Sequence, residues 1–301
     1  MSEARFFHFT RLVAFGDLVA GKEIAMRRFC LVGCLLGMCA SDALAAPAPK
    51  MDLSSGASPA QMVQCGSPDP DRAVIGCTTI IRNATSATVK SNAYSNRAMA
   101  YSKRGQNDLA LADFEEAIKA DPKNPSTLRN RGDFYVAIGE YKRALDDYSQ
   151  AIATIPKVAE VYIQRANAYL LNDDFMHALP DYNQAIALNP KLPAAFAYRG
   201  EAYRTQGDAD HAIQDFDAAI KLEPKMSGAF LGRGLVFEDK GDYMRAIAEF
   251  TQALKVDPKN VAVLDERAEA YEHMGAHDKA LADAAEAAKL DPANADSHRL
   301  K

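Results

Sequence analysis

One period governs this chain. The segment NRAMAY at residues 96–101 returns as NRGDFY at 130–135, QRANAY at 164–169, YRGEAY at 198–203, GRGLVF at 232–237 and ERAEAY at 266–271. Each step is 34 residues, and six copies tile residues 91–294 without insertion or deletion. A fixed period of this size means one supersecondary unit stacked on itself, because a single unit cannot bury its apolar face alone. The length of 301 residues, which would otherwise admit two globular domains, is therefore read as one elongated stack.

Residue types recur at fixed offsets within each copy. The fourth position is large and apolar (Tyr94, Leu128, Tyr162, Phe196, Phe230, Leu264), the eighth small (Ala98, Gly132, Ala166, Gly200, Gly234, Ala268) and the eleventh aromatic (Tyr101, Tyr135, Tyr169, Tyr203, Phe237, Tyr271). Alanine fills the twentieth and twenty-seventh positions in all six copies, and proline fills the thirty-second. The fifteenth position is glycine except for Asp173 in the third copy. Small residues let two helices approach, aromatics fill the volume beside them, glycine ends the first helix and proline stops the second. Each copy therefore reads as two antiparallel helices and a turn. Pro180 falls inside the second helix of copy three, where a kink or break is expected.

This pattern strongly resembles the tetratricopeptide repeat family over about two-thirds of the chain. The resemblance implies an all-α, right-handed superhelix of antiparallel helix pairs, with a concave groove lined by the first helix of each pair. In the family the groove takes the second, fifth, sixth, ninth, twelfth and thirteenth positions. Here these are Asn96, Lys103, Arg129 and Asn130 with Asn92 and Asp133, a polar and locally basic set. Copy three offers Ile163, Asn167, Leu170 and Leu171 with Gln164, an expected apolar shelf; copy four offers Tyr198, Glu201 and Arg204. The last two copies offer Leu231, Leu235, Glu238 and Asp239, then Asp265, Glu266, Glu269 and Glu272, a strongly acidic end. Apolar groups beside polar ones suit a peptide or partner helix, and the acidic end favours a basic segment. The carboxylate clamp that some family members use on a C-terminal tail is not complete here: Asn96 matches its middle element, but Ser126 and Asn130 stand where Lys and Arg belong.

The seventh position is arginine throughout (Arg97, Arg131, Arg165, Arg199, Arg233, Arg267), an array that invites a nucleic-acid reading. The twenty-third, however, is always acidic (Asp113, Asp147, Asp181, Asp215, Glu249, Asp283), and a hairpin turning near position fifteen sets the two opposite each other. One structural ion pair per repeat is expected, and with a net charge of −5 no nucleic-acid partner.

Upstream, residues 26–45 read as a cleavable signal peptide. Arg27 and Arg28 precede the apolar run of residues 29–40, too short to span a membrane, and Ala43-Leu44-Ala45 supplies the small residues at a cut after Ala45. Residues 1–25 carry no signal-like feature and read as a non-native extension, with Met26 as the natural start. Leu31-Val32-Gly33-Cys34 matches a lipoprotein box in its residues but opens the apolar run instead of closing it, so lipid anchoring is the minor alternative. Removal of residues 1–45, with five basic and four acidic side chains, takes the net charge to −6. It also removes Cys30, Cys34 and Cys39 and leaves Cys65 and Cys77. In an oxidising compartment these are expected to form a disulfide, two buried thiols being the alternative. Residues 46–64 read as a disordered linker. Residues 65–90 read as a half-repeat cap whose helix covers 70–83, with three extra residues in the link to copy one. Residues 295–301 form a tail, and no solvating helix follows the last, alanine-rich helix, whose end is expected to fray.

Catalytic signals are weak. His273 and His277 flank Gly275 at a turn, a poor zinc pair, and neither a phosphate-cradling loop nor a serine elbow is present. Asn83-Ala84-Thr85 is a glycosylation sequon of low specificity. The expectation is a non-catalytic scaffold without metal or cofactor, periplasmic or secreted, that binds a protein or peptide and has no membrane span after signal removal. A cell-envelope assembly factor docking by its edges or convex face is the alternative, and an enzyme with its site in the groove is a third.

Overall fold

The computed structural model describes residues 58–292. The signal segment, the stretch before it and the tail lie outside them. The described residues form fourteen helices: α1 Pro59–Cys65, α2 Pro70–Asn83, α3 Ala87–Lys103, α4 Asn107–Ala120, α5 Pro125–Ala137, α6 Tyr141–Thr154, α7 Ala159–Leu171, α8 Phe175–Leu188, α9 Pro193–Thr205, α10 Ala209–Leu222, α11 Ser227–Asp239, α12 Tyr243–Val256, α13 Val261–His273 and α14 His277–Leu290. From α3 onward they pair as the first and second helices of the six copies. They fall into two units, one ending at Pro190 and one beginning at Lys191.

Each turn is set by one residue. Gly105, Gly139, Gly207, Gly241 and Gly275 have φ between 70° and 81°, and Asp173 holds the same place at φ 59°. A side chain in that region crowds its own backbone, which glycine avoids. Asp173→Gly is therefore expected to stabilise the protein by about 1 kcal/mol, read as a higher urea midpoint with unchanged m-value.

The twentieth- and twenty-seventh-position alanines are fully buried, as are Phe114, Tyr148, Tyr182, Phe216 and Phe250 at the twenty-fourth. At the eighth position a Cβ on Gly132 would stand 2.6 Å from the Tyr148 ring, and one on Gly234 would stand 2.5 Å from Phe250. Glycine there is a packing requirement of a large neighbour.

Three boundaries differ from the sequence reading. Helix α1 occupies the end of the expected linker: Ser58 and Gln61 form a reciprocal capping box, and Pro59 takes the first helical position. The three extra residues of the link join α3, which Ser86 caps through Val89 N–H and which starts four residues before copy one. The break expected at Pro180 does not occur, for α8 runs unbroken through it. Pro180 is exposed, so its ring and its missing N–H lie on the wet face of the helix. At the far end α14 is formed, with Ala280, Asp283, Ala284 and Ala287 buried.

Cys65 and Cys77 are disulfide-bonded, with a Cα–Cα distance of 4.5 Å. They centre a small core with Ile80 and Ala93, against which Met62, Ile81 and Val89 pack. A Cβ on Gly76 would stand 2.6 Å from Cys65 N, so α1 and α2 approach backbone to backbone at that point.

Candidate partner-binding groove

The arginine ladder is structural. Arg97, Arg131, Arg165, Arg199 and Arg267 each donate through Nε and Nη2 to both carboxylate oxygens of Asp113, Asp147, Asp181, Asp215 and Asp283, at 2.7–2.8 Å. Arg233 binds Glu249 through Nη2 alone at 2.7 Å and turns Nη1 to Asp217. Nη1 also reaches backward elsewhere, Arg97 to Thr78 Oγ1 at 2.9 Å, Arg165 to Ser149 Oγ at 3.1 Å and Arg267 to Thr251 Oγ1 at 3.1 Å. Each of these arginines thus ties a hairpin to the second helix before it. The bond to Asp147 raises the pKa of Arg131 against the opposing effect of burial, so the guanidinium stays charged, while burial raises the Asp147 carboxyl against the lowering effect of Arg131.

A second ladder was not anticipated. In five copies the nineteenth-position side chain covers the eleventh-position aromatic: Arg143 lies over Tyr135 at 5.6 Å, Arg245 over Phe237 at 4.4 Å and Lys279 over Tyr271 at 5.4 Å, while the rings of His177 and His211 stack on Tyr169 at 5.2 Å and Tyr203 at 5.0 Å. Arg131, Arg165, Arg199 and Arg267 approach four of these rings at 5.8–5.9 Å. Such contacts contribute about 0.5–1 kcal/mol at exposed sites. The recurrence of Arg, His and Lys eight residues after the aromatic is the signal in the sequence. His273 stacks on Tyr243 and His277 bonds Glu272 at 2.8 Å, so each has a partner of its own and they do not form a pair.

In the unit ending at Pro190, the groove positions make a polar floor. Asn130 Nδ2 donates to Ser95 Oγ at 3.1 Å, and Asn96 Nδ2 lies 3.8 Å from Cys65 Sγ. Asp133 accepts from Tyr148 Oη at 2.6 Å and from Gln164 Nε2 at 2.8 Å, and Asn167 Oδ1 accepts from the Tyr182 hydroxyl. Tyrosine at position twenty-four thus accompanies Asp or Asn at the ninth, whereas Glu201, which is bound by Arg204, has Phe216 at that place. Burial pushes the Asp133 carboxyl up to about 6, against the lowering effects of Tyr148, Arg129 and Gln164. Lys103 is exposed; Asn96, Arg129, Asn130, Asn167 and Leu171 are partly exposed. Ile163 and Leu170 are buried, so the expected solvent-facing shelf is reduced to Leu171.

Because its folded pKa is raised, ionised Asp133 costs stability at neutral pH, and the cost disappears as pH falls through about 6 toward the unfolded value. Asp133→Asn is expected to stabilise the protein by about 1–2 kcal/mol at pH 7 and by almost nothing near pH 4. The Gln164 amide, whose Oε1 is buried without a partner, can turn over to accept the new N–H. Urea unfolding at the two pH values reads the difference.

In the unit beginning at Lys191, Arg204 donates to both Glu201 oxygens, at 2.7 and 3.0 Å, and to Asp239 at 2.7 Å. Glu201 and Glu238 are buried. Tyr198, Leu231 and Leu235 are also buried, which corrects the expectation that they stand open to water. Asp265, Glu266 and Glu272 are partly exposed and Glu269 is exposed, all on α13. Among the described residues no helix is long and apolar enough to cross a membrane, and no group of three or more metal-ligating side chains converges.

Models of the tetratricopeptide repeat match residues 91–124, 159–192, 193–226 and 231–295. The chain belongs to the tetratricopeptide repeat family. No curated protein sequence matches it. Among solved structures it is similar to a tetratricopeptide repeat protein from Parabacteroides merdae, with TM-score 0.63 and 20% identity over 77% of this chain and 91% of that one. It is also similar to PilW, described as a type IV pilus biogenesis factor, with TM-score 0.61 and 20% identity over 67% of this chain and 94% of that one. PilF of Pseudomonas aeruginosa follows at TM-score 0.56 and 17% identity, over 67% and 92%. At these identities the likeness is one of fold alone, that of an all-α repeat superhelix.

Proposed function

We propose that the first helices of the repeats hold a segment of a partner protein, that the protein does this without chemistry of its own, and that it works in the bacterial periplasm after its signal is cut. One contrast carries the reading. The eighth, twentieth and twenty-seventh positions are small and buried in every copy, whereas the groove positions change from copy to copy. A face that varies while its scaffold does not is where recognition is placed. Export is supported by the signal-like residues 26–45 and by the disulfide in the cap.

The acidic run on α13 favours a basic stretch in the partner, chiefly through the rate of encounter and the choice of partner. Replacing Glu266, Glu269 and Glu272 together by Lys is expected to weaken binding of the native partner about 10–100-fold at low ionic strength, and much less in high salt. Pull-down titrations at two salt concentrations measure this. Unchanged binding at low salt would favour docking by the edges or the convex face instead.

A further inference from the structure

Each second helix holds the copy that follows it through three positions. The twenty-fourth-position ring of Phe114 meets Phe134 of the next copy at 5.4 Å, and Phe216 fills the space beside Gly232. At the twenty-fifth, Ser149, Asp217 and Thr251 accept from Arg165, Arg233 and Arg267 of the following copy. The twenty-eighth is Ile or Leu in copies one to five, partly or fully buried. In α14 all three places are alanine: Ala284, Ala285 and Ala288. The twenty-first position differs too. Leu111, Leu145, Leu179, Ile213 and Ile247 are half-buried, whereas Leu281 is 66% exposed. The outer side of α14 thus lacks the fittings for another repeat of this kind, and still presents a large apolar side chain to water.

The order of charges on that side suits a copy of itself. Asp278, Ala282, Ala285 and Lys289 are all exposed, and their spacing of four, three and four sets them along one face of the helix. Asp278 lies in the first turn, four residues before Ala282, and Lys289 in the last turn, four residues after Ala285. A second α14 laid antiparallel therefore puts Asp278 against Lys289 at both ends and Ala282 against Ala285 at the centre. Small residues there let the two axes approach closely, and Leu281, beside the stripe, is then covered by Ala288 of the second copy. Lys289 is paired with Glu286 at 3.3 Å, but that bond is exposed and contributes little, so the lysine is available. Copies one and four carry the same end charges, Asp108 with Lys119 and Asp210 with Lys221, but set Glu115 and Asp217 at the centre, where two copies would repel. Only α14 joins the paired charges to an apolar centre.

We propose that the outer face of α14 is a self-association surface, on which two copies of this chain pack this helix antiparallel about a two-fold axis between Ala282 and Ala285. The contact is isologous, so each favourable pair occurs twice. It is confined to one helix a side, at the small end of specific interfaces, and the dimer is correspondingly weak. It uses a second helix and leaves the groove positions of α13 open, so the inference stands apart from the groove reading.

Sedimentation equilibrium of the full chain tests this. A reversible dimer with a dissociation constant of about 10–100 µM is expected. Ala285→Glu places an unpaired carboxylate at the centre of the contact and should weaken association at least about 100-fold. Its circular dichroism should match the parent, because the position is exposed in the single chain. Asp278→Lys or Lys289→Asp alone should weaken association about tenfold, since each leaves like charges facing at both ends. The exchanged pair, Asp278→Lys with Lys289→Asp, should return to within about threefold of the parent, a recovery that requires an antiparallel copy of the same helix. A monomer at every concentration up to about 1 mM, a dimer indifferent to Ala285→Glu, or an exchanged pair that does not recover would each overturn the proposal. A photoreactive amino acid at Leu281 adds a direct readout. A crosslink between two copies supports the dimer. Crosslinks only to residues 293–301 of the same chain, or only to a different protein, would give the face to that occupant and overturn it.

Discussion

Replacing Asp147 by alanine is expected to lower the free energy of unfolding by about 3–5 kcal/mol, the usual consequence of leaving one member of a buried ion pair alone. The Asp147 side chain is only 3% exposed, and both its oxygens are bound by Arg131. Without it the guanidinium keeps its charge in a poorly solvated place, where it has no way to neutralise. The double change Arg131→Met with Asp147→Leu should recover most of the loss, since removing both charges also removes their desolvation. Urea unfolding followed by far-UV circular dichroism separates the two outcomes. A single variant within about 1 kcal/mol of the parent would mean the pair behaves like an exposed surface bridge. The loss should centre on the second and third repeats, because stacked repeats couple only to their neighbours.

Removing the disulfide by Cys65→Ser with Cys77→Ser is expected to cost about 2–3 kcal/mol, from the freedom that a loop of this length regains in the unfolded chain. Its effect should be local. Helix α1 is seven residues long and is held by a small core around the two sulfurs, so without the bond it has little reason to stay docked. Hydrogen exchange should quicken over α1 and the first turns of α2 while α5 to α7 keep their protection. Uniform loss of protection would instead make the cap a part of one cooperative unit.

Much of this was legible in the sequence because the repeat reports each contact six times. The sixteen-residue interval between Arg97 and Asp113 recurs in every copy, and the pairing follows from a hairpin turning at Gly105. The departure at Arg233 has a simple cause: Glu249 is one methylene longer than aspartate and meets the guanidinium through a single nitrogen. Local signals were also present and unread, as with Ser58 and Gln61, which cap a helix where a linker was expected. The groove was less legible. Position in the repeat identifies which residues sit on the first helices, but not how fully neighbours cover them. Leu231 and Leu235 have the groove address and are nevertheless fully buried. The Asp133 cluster joins three helices, and its chemistry depends on depth rather than on residue type.

The central claim is that the first-helix face meets the partner. A photoreactive amino acid at Leu171, on the groove side of α7, and another at exposed Lys142, on the second helix α6, compare the two faces of one unit in living cells. The expected result is a discrete crosslinked partner from Leu171 and none from Lys142. The same partner captured from Lys142 and not from Leu171 would contradict the account.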